Sequence, residues 1–79
     1  MESVMTLAEL KAKEQFYRKK ATQAQEDAKM CLDASRSCEN NLDKMIFLYM
    51  SECLADDCSY FLERHEEYYN GMLQLLDIN

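Results

Sequence analysis

The sequence predicts an all-α protein, and three observations carry that expectation. There is no proline and only one glycine, Gly71, among 79 residues. Strand-rich and loop-rich folds need turn residues at regular intervals, so this chain has few corners. Its interior is rich in Ala, Leu, Met, Glu, Lys and Gln, all good helix formers. Apolar residues then recur at spacings of three and four, the period of a helix face.

The elements follow in chain order. Residues 1–5 read as a short leader, and the start Met1-Glu2-Ser3-Val4 has neither the basic region nor the apolar block of a signal peptide. Thr6 and Glu9 stand at capping-box spacing, in which each side chain satisfies a backbone donor of the other. Met5 and Leu10 occupy the two positions of a hydrophobic staple around that cap. Glu9–Lys13 and Glu14–Arg18 follow as acid-before-base pairs four apart. A helix therefore begins at Thr6.

Its end is harder to place. One architecture is a single amphipathic helix over about 6–76; the alternative is an antiparallel helical hairpin turning near 34–41, where Ser35, Ser37, Asn40 and Asn41 cluster. Counting in sevens gives one series through Leu7, Glu14, Ala21, Ala28, Ser35, Leu42 and Tyr49. A second runs through Leu10, Tyr17, Ala24, Cys31, Cys38, Met45 and Glu52. Glu14 and Glu52 interrupt the stripe, and beyond Tyr49 the apolar positions shift by one to Cys53 and Tyr60. Because the spacing keeps its phase across Asp33–Asn41, with no glycine at the corner and no new capping box, the continuous helix is the favoured reading.

The stripe changes character along its length. Between 21 and 38 it is thin and built of small residues, and after Met45 it widens until apolar side chains surround Met45–Met50. A helix that is apolar on several sides needs companions. The division expected is one helical element over 1–79, with a thin-striped half at 6–44 and a wide-striped packing half at 45–76. The surface expected to meet other helices comprises Leu42, Met45, Tyr49, Met50, Leu54 and Phe61, and then Leu62, Tyr68, Tyr69, Leu73 and Leu76. Gly71 precedes a segment that still reads as helical, so it marks a weak point rather than a stop.

Several chemistries find no support. Net charge is −6, all of it arising after residue 40, where Lys44 and Arg64 stand against eight acids. An acidic chain without basic residues among its tyrosines makes a poor nucleic-acid binder. Cys31, Cys38, Cys53 and Cys58 include no C-x-x-C pair and read as reduced core thiols, with metal or redox roles as the alternative. Asp56-Asp57 and Glu66-Glu67 diverge by about 100° on a helix and converge on nothing. His65-Glu66 lacks the second histidine of a zinc helix, Tyr69 standing in its place, so His65 reads as a packing or surface residue. No nucleophile with a positioned base can be assembled, so no catalytic residue, metal or cofactor is expected. No apolar run reaches the eighteen residues of a membrane span, and cytoplasm is the expected location.

One charged feature stands apart. Lys11, Lys13, Arg18, Lys19 and Lys20, with Lys29 farther on, gather in the first half. They serve either solubility or contact with anionic lipid headgroups, where each cation adds about 1 kcal/mol.

The second half resembles a known family. Leu62-Glu63-Arg64-His65-Glu66-Glu67-Tyr68-Tyr69, followed by Leu73 and Leu76, is similar to the end of the last helix in BAR domains. It is most like the nadrin or RICH group of Rho GTPase-activating proteins. Cys38, Leu42, Tyr49 and Met50 resemble that group's Cys-x-x-x-Leu and aromatic-Met block, so the similarity covers about 35–76. The resemblance implies a third helix running from the tip of an arm into a dimeric bundle, with the basic half touching curved, anionic membrane. It also implies that this chain corresponds to part of such a domain. Two functions are thus expected of the chain: a BAR-like element serving dimerisation and curved-membrane binding, or a coiled-coil adaptor that packs on a partner protein without a lipid role. The partner is a second copy or other helices of the same kind of domain.

Overall fold

The structure, a computed structural model, describes residues 5–77; four of the five leader residues lie outside it. It contains two helices, α1 (Leu7–Ser37) and α2 (Asn41–Asp77), folded back on each other as a hairpin. The chain is all-α as expected, and of the two architectures it is the hairpin that forms. A continuous helix to residue 76 does not. Principal extents of 59 × 22 × 14 Å make a rod, and the radius of gyration is 17.6 Å. A globule of this length would have a radius of gyration of about 12 Å.

The start of α1 follows from its cap. Thr6 Oγ1 accepts from the Glu9 N–H at 3.1 Å, while the Glu9 carboxylate reaches back to the Thr6 N–H at 3.4 Å. Two otherwise orphaned donors are satisfied before the helix begins. Arg18 Nε then lies 3.8 Å from the Glu14 carboxylate, as the i,i+4 spacing predicts.

The corner is built without glycine. Cys38 adopts an extended backbone (φ −78°, ψ 131°), which any residue tolerates, and its N–H donates to the Ser35 carbonyl at 3.3 Å. The thiol of Cys38 donates to the Ala34 carbonyl, which a continuing helix would have used, and the hydroxyl of Ser37 donates to the Asp33 carbonyl. Two residues on, Asn40 Oδ1 accepts the Leu42 N–H at 2.7 Å, and the Lys44 N–H donates to the Asn40 carbonyl at 3.1 Å. Asn40 is therefore the N-cap of α2, one of the most favoured residues there. No glutamate partner is needed, which is why a search for a second capping box passes over it.

The turn also resets the helical phase. In α1 the inward series is Leu10, Glu14, Tyr17, Ala21, Ala24, Ala28, Cys31, Ser35 and Cys38, at alternating spacings of four and three. This is the heptad register expected of the first half. In α2 the inward series is Lys44, Phe47, Ser51, Leu54, Cys58, Phe61, His65, Tyr68, Met72 and Leu75, an unbroken heptad seam six residues out from Cys38. Leu42, Met45 and Tyr49, which continue the phase of α1, face away from it and are 64%, 67% and 68% exposed. Their match to the earlier register is the coincidence that favoured a single helix.

The seam is narrow. Ala21, Ala24, Ser35 and Ser51 are buried by close approach of the two backbones, and among the described residues no large side chain is fully enclosed. The Ser35 and Ser51 hydroxyls donate to the carbonyls of Leu32 and Leu48, both at 2.7 Å, and bury without loss of a hydrogen bond. Gly71 continues the helix, and its bare α-carbon faces Leu10. A β-carbon there would stand 3.4 Å from Leu10 Cδ2.

Candidate interaction surface

Toward the open end of the hairpin the two helices share an aromatic cluster. Tyr17 of α1 inserts between Phe61 and Tyr68 of α2, stacking on Tyr68 with ring centres 5.7 Å apart and planes 6° from parallel. Phe16 meets Tyr17 edge-on at 5.1 Å. One helical turn before Tyr17, the buried Glu14 carboxylate is 2.8 Å from His65 Nε2. Glu14 is thus not a flaw in the stripe but a seam residue with a partner across the hairpin, and Arg18 flanks the pair. A buried carboxylate is tolerated only with such partners. His65 proves to be a packing residue, half-buried and stacked along Tyr69 at 6.2 Å.

Glu14 and His65 meet within a packed seam, and the Arg18 cation is the third charged group beside them. Among the described residues no three His, Cys, Asp or Glu side chains gather as metal ligands would. Two groups elsewhere are held off their ordinary ionisation. The Arg64 guanidinium is held above its usual range, first by a hydrogen bond with Tyr60 and next by Glu67, whose carboxylate lies 3.0 Å away. The Tyr49 phenol is raised chiefly by a hydrogen bond with Cys53. Both are exposed on the outer surface of α2.

The surface residues expected from sequence divide into two sets. Leu54, Phe61 and Tyr68 are in the seam against α1. Leu42, Met45, Tyr49, Met50, Leu62, Tyr69, Leu73 and Leu76 lie outside it, each at least 42% exposed. The six basic residues Lys11, Lys13, Arg18, Lys19, Lys20 and Lys29 are all exposed on α1, although they do not form one patch free of acids. Lys20 lies over the Phe16 ring, and Arg18 leans toward Glu14.

On α2 the outer apolar residues are ordered. With Lys44 and Phe47 taken as heptad positions a and d, Leu48, Ala55, Leu62, Tyr69 and Leu76 all fall at e, and Met45 and Leu73 at b. Positions b and e together run 45, 48, 52, 55, 59, 62, 66, 69, 73, 76, a second seam of alternating threes and fours rotated by about 100° from the first. Only Glu52, Ser59 and Glu66 are polar in it. An open hollow between Leu62, His65, Glu66 and Tyr69 lies along this line. Sequence reasoning noticed the excess of apolar residues but did not separate the two seams. Counting in sevens from Phe47 and from Leu48 would have done so.

No family model matches the chain, and no curated protein or solved structure does either. No helix of the described residues is long and apolar enough to cross a membrane.

Proposed function

We propose that this chain is a non-catalytic helical-hairpin interaction element, which works by packing the outer face of α2 against further helices. The observation that carries this reading is the second seam. Scattered exposed apolar residues are ordinary on any protein, but a continuous stripe at heptad spacing is the pattern that helices use to recognise one another. The slender inner seam adds to it, because a hairpin with so little enclosed side-chain volume gains much of its stability from whatever covers its flank. The likeness of Leu62–Leu76 to the end of a BAR-domain helix belongs to this proposal, since it points to the same kind of contact in a dimeric bundle. The hairpin is a different path from the continuous third helix of that resemblance.

A second reading is supported by the six exposed cations of α1. They leave α1 free to approach anionic headgroups while α2 is engaged elsewhere.

Helicity measured by circular dichroism separates these outcomes. The ellipticity of the full chain should deepen as protein concentration rises, or on addition of a helical partner. Deepening with phosphatidylserine vesicles at low salt supports the lipid reading as well. Helicity indifferent to concentration, together with no binding to such vesicles, overturns the interaction reading altogether.

A further inference from the structure

The geometry points to a specific occupant for the second seam: the same seam of a second copy, laid antiparallel across α2. The inference rests on the interaction reading above and deepens it by naming the partner and its register. It starts from the order of residues along the b and e positions. Apolar pairs stand at both ends (Met45 and Leu48, Leu73 and Leu76), and small residues, Ala55 and Ser59, lie near the middle. An antiparallel copy therefore sets Met45 against Leu76 of the second copy and Leu48 against its Leu73, with Ser59 opposite its Leu62. Each copy then has both ends covered by apolar side chains, and at the centre each Leu62 packs over the small Ser59 of the other copy. Sliding the register by one heptad in either direction leaves one apolar end bare.

The two glutamates decide orientation. In the antiparallel register Glu52 meets Tyr69 of the second copy, and Glu66 meets its Ala55. In a parallel pairing Glu52 would face Glu52 and Glu66 would face Glu66, like charges directly opposed within an apolar seam. The outer surface of α1 offers no stripe of comparable length: of its exposed Leu7, Phe16, Met30 and Leu32 only Phe16 and Met30 share a heptad position, with the polar Gln23 between them. Size is sufficient as well. Residues 45–76 span about 48 Å, and at a width of about 11 Å the contact removes on the order of 500 Å² per copy. Doubled, that is about 1,000 Å², the lower bound of a specific interface.

The rim of this interface is acidic. Asp56 of one copy comes beside Glu63 of the other, and Glu52 lies one layer from Glu66. Salt that screens these charges therefore tightens the dimer, whereas a dimer pairing basic α1 with acidic α2 would loosen under the same salt.

Sedimentation equilibrium of the full chain tests the proposal. The wild type should dimerise more tightly at 0.5 M than at about 0.05 M salt. Leu62→Glu sets a charge near the two-fold axis in both copies and should raise Kd about a hundredfold or more. Leu62 is half exposed in the hairpin, so circular dichroism at matched monomer fraction checks that the fold survives. Glu66→Lys is the gain-of-function arm, because the lysine reaches Glu52 of the second copy twice per dimer and should lower Kd about threefold to tenfold. A monomer at about 500 μM, an unchanged Kd in Leu62→Glu, or a weaker dimer in Glu66→Lys each overturns the proposal. If the chain stays monomeric yet gains helix on vesicles or with a helical partner, the second copy is excluded while the interaction reading stands.

Discussion

Glu14 and His65 show how one polar pair can sit inside a seam of apolar and small residues. The carboxylate is buried, and the imidazole at 2.8 Å replaces the water it gave up. Removing the imidazole alone strands the carboxylate, so His65→Leu should destabilise the hairpin by about 1–3 kcal/mol in urea unfolding. Replacing both, Glu14→Leu with His65→Leu, should recover most of that loss, because two leucines suit a heptad seam. Equal stability of His65→Leu and the wild type would show that the pair contributes nothing. Gly71 poses the opposite question. An alanine β-carbon meets only the tip of Leu10 at an ordinary contact distance, so Gly71→Ala should gain about 0.5–1 kcal/mol from helix propensity, read as a higher thermal midpoint. A lowered midpoint would mean that Leu10 cannot yield there.

At the scale of elements, the caps decide where the two helices begin and why there are two. Thr6→Ala removes one side of the capping box and Asn40→Ala the whole side-chain cap of α2, and each should cost about 1 kcal/mol in urea unfolding. If Asn40→Ala leaves the midpoint unchanged, the turn is held by packing alone. The first helix was legible in the sequence because a single stripe with a single phase runs from Leu10 to Cys38, begun by a cap that needs both Thr6 and Glu9. The second was less so, for two physical reasons. Asn40 caps through one side chain with no partner three residues on, and the corner uses extended backbone that demands no glycine. α2 also carries two seams at once, so Leu42, Met45 and Tyr49 could be joined to the phase of α1 although Phe47, Leu54, Phe61 and Tyr68 form the inner one. The Glu14–His65 contact was hidden for the same reason, since it spans 51 residues and exists only once the chain has turned back.

The whole molecule is a slender rod in which one helix has two working faces. The inner face of α2 is satisfied by its own chain through Tyr17, Leu10 and the small residues of α1. The outer face, from Met45 to Leu76, has the spacing of a helix contact, and α1 packs on the other face of α2. Net charge of −6, concentrated on α2, keeps that face in solution and makes its association sensitive to salt. The adjacent tyrosines Tyr68 and Tyr69 report on the two faces separately, one stacked on Tyr17 and the other 47% exposed. Hydroxyl-radical footprinting of the intact chain over a range of concentrations therefore tests the two-faced helix most directly. Tyr68 and Phe61 should be less reactive than Tyr69 and Leu62 at every concentration, and Tyr69, Leu62 and Leu76 should gain the larger protection as the concentration rises. Tyr68 and Tyr69 labelling alike at high dilution, or Tyr69 staying reactive however concentrated the protein, would contradict the account.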